Sequence, residues 1–203
     1  YGMIVNSGKK ITPSLIDTIQ NKNGKIIFKH EKRNCSQCKT NDFINANLPI
    51  IEDNSEQIVD PISAYQMVSM LEGVVTRGTG RKINSLKRPL AGKTGTTNDS
   101  KDAWFIGFSP TLVVGIYVGF DRPKSLGNGE TGSSVAVPIF KRYIEKVLNT
   151  KPKTPFRVAN GVSFVRIDQK TGLPSNSGIL EVFKQGKEPF EQFILDDKSS
   201  IIK

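Results

Sequence analysis

The sequence predicts an α+β fold: an antiparallel sheet packed against helices. Two observations carry this. One amphipathic helix follows Asp60-Pro61, and three apolar, β-branched or aromatic segments then run in succession between residues 90 and 120, joined by connections of only a few residues. Connections that short join antiparallel neighbours, whereas parallel strands need a long crossover.

The helix is marked at both ends. Aspartate is a good N-cap acceptor, and proline at the first helical position gives up a donor that has no intrahelical partner. Ala64, Met67, Val68, Leu71, Val74 and Val75 then form a stripe of helical period. It stops at Arg77-Gly78-Thr79-Gly80, where glycine permits a tight bend. The three strands are expected at Leu90–Thr97, Ala103–Phe108 and Thr111–Phe120, with turns at residues 98–101 and at Ser109-Pro110. Trp104, in the second, is expected in the sheet core. A glycine-rich loop at 127–132 leads to a closing helix over Val135–Leu148. Near the start, IDTIQ and GKIIFKH flank Asn21, Asn23 and Gly24 and predict a hairpin. Residues 31–55 are polar and aperiodic and are expected to be a surface loop or insertion. Domain organisation is therefore expected as 1–150, one domain carrying that insertion, and 151–203, a C-terminal extension outside the main core.

Composition narrows the function classes. With 203 residues, 36% hydrophobic and 24% charged, the chain is of globular type. Its longest apolar run, Thr111–Phe120, is too short to span a bilayer. The net charge of +10 suits any acidic partner. The basic residues are dispersed and lack interleaved aromatics, so no nucleic-acid partner is expected. The opening on Tyr1, in the middle of an apolar stretch, suggests a piece of a longer polypeptide, with any anchor or export signal lying upstream.

The strongest local motif is Leu90-Ala91-Gly92-Lys93-Thr94-Gly95-Thr96-Thr97-Asn98-Asp99. A phosphate-binding loop would need glycine where Lys87 stands and a helix after the lysine; Pro89 and the turn that follows argue against it. As a strand, Lys93 and Gly95 face one way and Thr94 and Thr96 the other. Glycine at 95 lets an extended ligand lie close, and an exposed edge can take a peptide as an added strand. The Lys93 ammonium and the two threonine hydroxyls are suited to a terminal carboxylate. A shared ligand then requires an edge or twisted position, because the alternation divides these groups between faces.

Other motifs carry less. Ser36-Gln37-Cys38-Lys39 has the Ser-x-x-Lys spacing, but it sits in a polar stretch without the apolar stripe of a rigid helix. Gly127-x-Gly129-x-x-Gly132 lacks a βαβ context and reads as a loop. Cys35, Cys38 and His30 supply three ligands where a structural metal site takes four, so a local disulfide or free thiols is preferred. No metal and no cofactor is expected.

Taken together, RGTG at 77–80, LKRPLAGKTGTTND at 86–99, DAWFIGFSP at 102–110, VVGIYVGFD at 113–121 and GETGSSVAVPIF at 129–140 resemble the transpeptidase domain of class A penicillin-binding proteins. The likeness extends to GMIVNSGKKITPSLI, IDQKTGLPSN and EVFKQGKEP. It implies the penicillin-recognising, β-lactamase-like fold and an acyl-serine D,D-transpeptidase that cross-links peptidoglycan stem peptides ending in D-Ala-D-Ala. It also implies β-lactams as trapping ligands and a glycosyltransferase domain upstream. Catalytic roles fall on Lys93, through its positive potential, and on Thr96, whose backbone N–H would serve the oxyanion. Lys93, Thr94, Gly95, Thr96 and Asn98 would bind substrate. The family's nucleophile motif and its Ser-x-Asn motif precede Lys-Thr-Gly by more residues than this chain offers, so the upstream half of the same domain is an expected partner and this fragment alone is expected to be inactive. The resemblance places the protein on the periplasmic side of a bacterial inner membrane, attached only through an upstream anchor. A sensing domain of the same fold without turnover is the alternative.

Overall fold

The computed structural model describes residues 1–30, 53 and 55–190. The chain divides into two compact units, one of Lys9–Ile58 and one of Tyr1–Gly8 with Val59–Lys203.

In the smaller unit, β1 (Thr18–Gln20) and β2 (Ile26–Lys29) form the expected antiparallel hairpin. The Asn21 side-chain carbonyl accepts from the N–H groups of Asn23 and Lys25, and Gly24 takes φ +76°. Asparagine thus closes the turn, and glycine supplies the left-handed residue. Both strands are exposed throughout. Lys10 pairs with Glu56 at 2.8 Å, and Lys9 pairs with Asp53. Cys35, Cys38 and Ser36-Gln37-Cys38-Lys39 lie outside the described residues, as does nearly all of the 31–55 stretch.

The larger unit begins with a single turn, α1 (Gly2–Val5), and continues from Val59 into α2 (Pro61–Thr76). The Asp60 carboxylate accepts from the Ser63 N–H at 3.0 Å, as the cap reading requires. Ala64, Val68, Leu71 and Val75 are buried, and Tyr65 joins them. Met67 does not: it stands 43% exposed, one step off the buried face. At the helix end neither Gly78 nor Gly80 has positive φ. A side chain on Gly78 would stand 2.9 Å from the Val74 Cα, and one on Gly80 would stand 3.2 Å from the Val74 carbonyl oxygen. Close approach, not left-handed backbone, makes glycine necessary here.

A short 3-10 turn, Arg81–Leu86, leads to the sheet. Its strands are β3 (Ala91–Thr96), β4 (Asp102–Ser109) and β5 (Leu112–Gly119), in spatial order β3-β4-β5 and antiparallel. The closing helix, α3 (Val137–Leu148), is preceded by a wide helical turn over Gly132–Ala136. A capping box between Thr131 and Ser134 starts that turn, which is why the helical path begins earlier than Val135.

Two buried clusters hold the unit together. Phe105 and Phe140 meet edge to face at 4.9 Å and pack with Val75, Ile83, Val137 and Ile144. Tyr65, Val68, Leu71, Ala91 and Phe108 form the second cluster with Phe156 and Val182. Among the described residues after Thr150, Phe156 and Val182 therefore do not stand outside the core. The hairpin of β6 (Val162–Ile167) and β7 (Ile179–Lys184) packs on α2, where the Gln66 side-chain amide donates to the Val182 carbonyl at 3.1 Å and Arg77 pairs with Glu181. Sequence periodicity is weak there because Val182 is the one buried position in the two strands.

Candidate substrate-binding edge

Among the described strands, β3 pairs only with β4, so its other side is a free edge. The register sets Thr94 opposite Phe105, Gly95 opposite Trp104 and Thr96 opposite Ala103. Phe105 and Ala103 are fully buried, so Thr94 and Thr96 root on the face covered by α3 and its preceding turn. Lys93 and Gly95 root on the other face, beside Ile106 and Trp104. That face is open at this point. Trp104 is 42% exposed and rests on Tyr117, ring centres 4.7 Å apart, instead of lying in the core. The Tyr117 hydroxyl donates to the Asp102 carboxylate at 2.9 Å, and this bond, ahead of burial and of the Asp102 charge, raises the phenol above its ordinary value.

The backbone phase of β3 follows from one bond. The Thr97 N–H donates to the Asp102 carbonyl at 3.1 Å, one step beyond the Thr96–Ala103 pair. In an antiparallel ladder, hydrogen-bonded and non-hydrogen-bonded pairs alternate. Gly95 and Lys93 therefore bond to β4, while the N–H and C=O groups of Thr94 and Thr96 point outward from the free edge. The Lys93 side chain leaves the opposite face but folds over that edge, its Nζ donating to the Thr94 carbonyl at 3.0 Å. Edge position thus brings together groups that strand alternation divides.

The two threonine hydroxyls are held from behind. The Gly132 N–H donates to Thr96 Oγ1 at 3.1 Å, which leaves the hydroxyl proton free to be donated elsewhere. Thr94 Oγ1 lies 2.9 Å from Thr79 Oγ1, and the Thr79 carbonyl accepts from the Ser133 hydroxyl at 2.7 Å. Lys93 and Thr96 are exposed, Thr94 and Gly95 half-buried. Asn98 is exposed in the turn after β3, where Asp99 and Ser100 both take positive φ.

From the sequence alone, Thr79 sits at a helix end, between glycines that end the helix or shape the cleft rim, and Ser133 falls between a glycine-rich loop and the closing helix. Their part in the site depends on contacts across 15 and 54 positions, which no local pattern encodes. Gly127 and Gly129 take φ +127° and +78° in a loop next to an antiparallel sheet, not a dinucleotide turn. Lys93 lies within a strand, not at a helix mouth. Ser7-Gly8-Lys9-Lys10 also has Ser-x-x-Lys spacing, but Ser7 and Gly8 both have positive φ, so this serine opens no helix. His30 donates its backbone N–H to the Asp17 carbonyl. No cluster of three or more potential metal ligands occurs among the described residues, and no described helix is long and apolar enough to cross a membrane.

The edge strand with two outward peptide units, a lysine folded onto it and two braced hydroxyls belongs to an α+β domain whose sheet keeps one polar edge unpaired among the described strands. The penicillin-binding protein transpeptidase domain family matches residues 1–145, and the chain belongs to that family. Within it, the chain is similar to penicillin-binding protein 1A. It is 43% identical to that of Rickettsia bellii (strain RML369-C), over 100% of this chain and 25% of the relative. It is 46% identical to that of Pseudomonas aeruginosa over 66% of this chain and 17% of the relative. The crystal structure of penicillin-binding protein 1A from Haemophilus influenzae superposes with a TM-score of 0.74 at 29% identity, covering 95% of this chain and 32% of that one. The chain thus spans about a quarter of the length of the curated relatives it matches.

Proposed function

We propose that these residues form the substrate-binding wall of a serine-type D,D-transpeptidase that cross-links peptidoglycan stem peptides and is acylated by β-lactams. The observation that carries this reading is the outward phase of Thr94 and Thr96 together with the Lys93 ammonium folded over the same edge. An extended D-Ala-D-Ala peptide would add to β3 as a further strand. Its terminal carboxylate would meet the Lys93 charge and the Thr94 and Thr96 hydroxyls, which bind an anion as charge-assisted donors. The carbonyl under attack would lie against the outward Thr96 N–H. A donor preorganised on a developing oxyanion is typically worth ~3 kcal/mol. Lys93 would act by its field, which strengthens as substrate excludes water. Asn98 would line the cleft one turn beyond.

The serine nucleophile lies upstream of Tyr1 in this reading, on the other half of the same domain. The longer polypeptide is bifunctional, with a glycosyltransferase domain before the transpeptidase, and works on the periplasmic side of the inner membrane, held by an upstream anchor. Residues 1–150 belong to the transpeptidase domain and residues 151–203 form a C-terminal extension, which contributes Phe156 and Val182 to its core.

Labelling with fluorescent penicillin tests the proposal. The full-length polypeptide takes the label covalently, Lys93→Ala greatly weakens it, and the 203-residue chain alone takes none. Stable label on the 203-residue chain, at Ser36 or any other serine within it, would refute the assignment of the nucleophile. Binding without turnover in the full-length protein would favour a sensor of the same fold.

A further inference from the structure

We propose that Thr79 is a positioning residue for the substrate carboxylate, acting through the Thr94 hydroxyl. The proposal rests on the reading of Thr94 as a carboxylate ligand and adds a residue to it. Thr94 has one hydroxyl proton. While that proton points at Thr79 it is lost to a ligand, and while it points at a carboxylate the Thr94 oxygen is free to accept from Thr79. The two oxygens are 2.9 Å apart and either can donate. A bound anion selects one of the two states: Thr79 donates to Thr94, and Thr94 donates to the carboxylate. Each bond in such a chain polarises the next, so the outer one is stronger than an isolated hydroxyl would make.

Thr79 is built to hold this place. Its hydroxyl has no other hydrogen bond among the described residues, and its carbonyl is fixed by the Ser133 hydroxyl at 2.7 Å. Gly78 and Gly80 press its backbone onto the last turn of α2, where an added Cβ would meet Val74 atoms at 2.9 and 3.2 Å. Ser133 lies next to Gly132, whose N–H holds Thr96. One turn of chain therefore braces both hydroxyls of the strand, one directly and one through Thr79.

The test compares full-length protein with Thr79→Val, which keeps the shape and removes the donor, and Thr79→Ser, which keeps the donor. Acylation by a penicillin with its free carboxylate and by the corresponding methyl ester is followed as a function of concentration. The expected result is a three- to tenfold loss of acylation efficiency, on the order of one hydrogen bond between neutral groups. It should appear in Thr79→Val with the free acid, fall in the concentration for half-maximal acylation, recover in Thr79→Ser, and be nearly absent with the ester. Equal losses with acid and ester, or no loss, would overturn the role of Thr79 while leaving the transpeptidase reading intact. Failure of the unsubstituted protein to be acylated at all would overturn both. Should Thr79→Val fold poorly, Thr79→Ala carries the same acid-to-ester comparison with less bulk.

Discussion

Gly132→Ala is the most exacting check on the way the site is braced. A Cβ at this position would stand 2.4 Å from the Trp104 carbonyl oxygen, 2.7 Å from the Gly95 carbonyl oxygen and 3.2 Å from the Gly95 nitrogen. All three are backbone atoms of paired strands, so no side chain can swing aside. The wide turn before α3 must lift off the sheet, and the bond from the Gly132 N–H to Thr96 Oγ1 is lost with it. Overpacking of this kind costs about 1–3 kcal/mol, and an ordinary hydrogen bond contributes roughly 1 kcal/mol. The sum is about 2–4 kcal/mol. With a urea slope near 2 kcal/mol/M, the midpoint should fall by about 1–2 M. Gly115→Ala is the matched control. It lies in β5, has no atom within 4 Å of its added Cβ, and does not have positive φ. That substitution should be neutral or stabilise by about 0.4–1 kcal/mol, by restricting the unfolded chain. The chain has a single tryptophan, Trp104, on β4 beside the Gly132 contact, so its fluorescence reads the relevant sheet directly. Equal midpoints for the two variants would refute the close approach of Gly132 to β3 and β4.

Phe156→Ala should destabilise the chain by about 3–5 kcal/mol, the usual cost of emptying a phenylalanine site. Phe156 is 8% exposed and meets Phe108 edge to face at 5.7 Å; an unchanged denaturation midpoint would mean that the residues after Thr150 are dispensable to the core. Asp60 should couple stability to acid pH. Its carboxyl is held below the ordinary value, first by the Ser63 N–H, so it contributes above the unfolded carboxylate pKa and the contribution fades as pH falls through the folded one. Asp60→Ala should therefore lower the melting temperature at neutral pH and converge on the parent in acid; a pH-independent difference would contradict the capping role.

How far the site could be read from the sequence depends on the range of each contact. Asp60 with Pro61, and Asn21 with Gly24, act on backbone within a few residues, so cap and turn were legible and stand where expected. Strand positions were legible too, since residues between turns at 98–101 and 109–111 have few other ways to bury Phe105 and Phe108. What alternation could not give was which face is covered. Trp104 is aromatic in a strand, yet its side of the sheet carries Gly95 and Tyr117 at the open end, while Phe105, one residue on, meets Phe140. Nor does alternation give the direction of backbone groups. That came from a single turn bond, Thr97 to Asp102, which fixes the phase of the ladder and sends the Thr94 and Thr96 peptide units outward. Side-chain period and backbone phase are separate properties of a strand, and a site built on an edge uses both. This is why Lys93 and Thr94, rooted on opposite faces, still meet at 3.0 Å: the lysine spans to the edge, and the threonine meets it with its carbonyl rather than its hydroxyl.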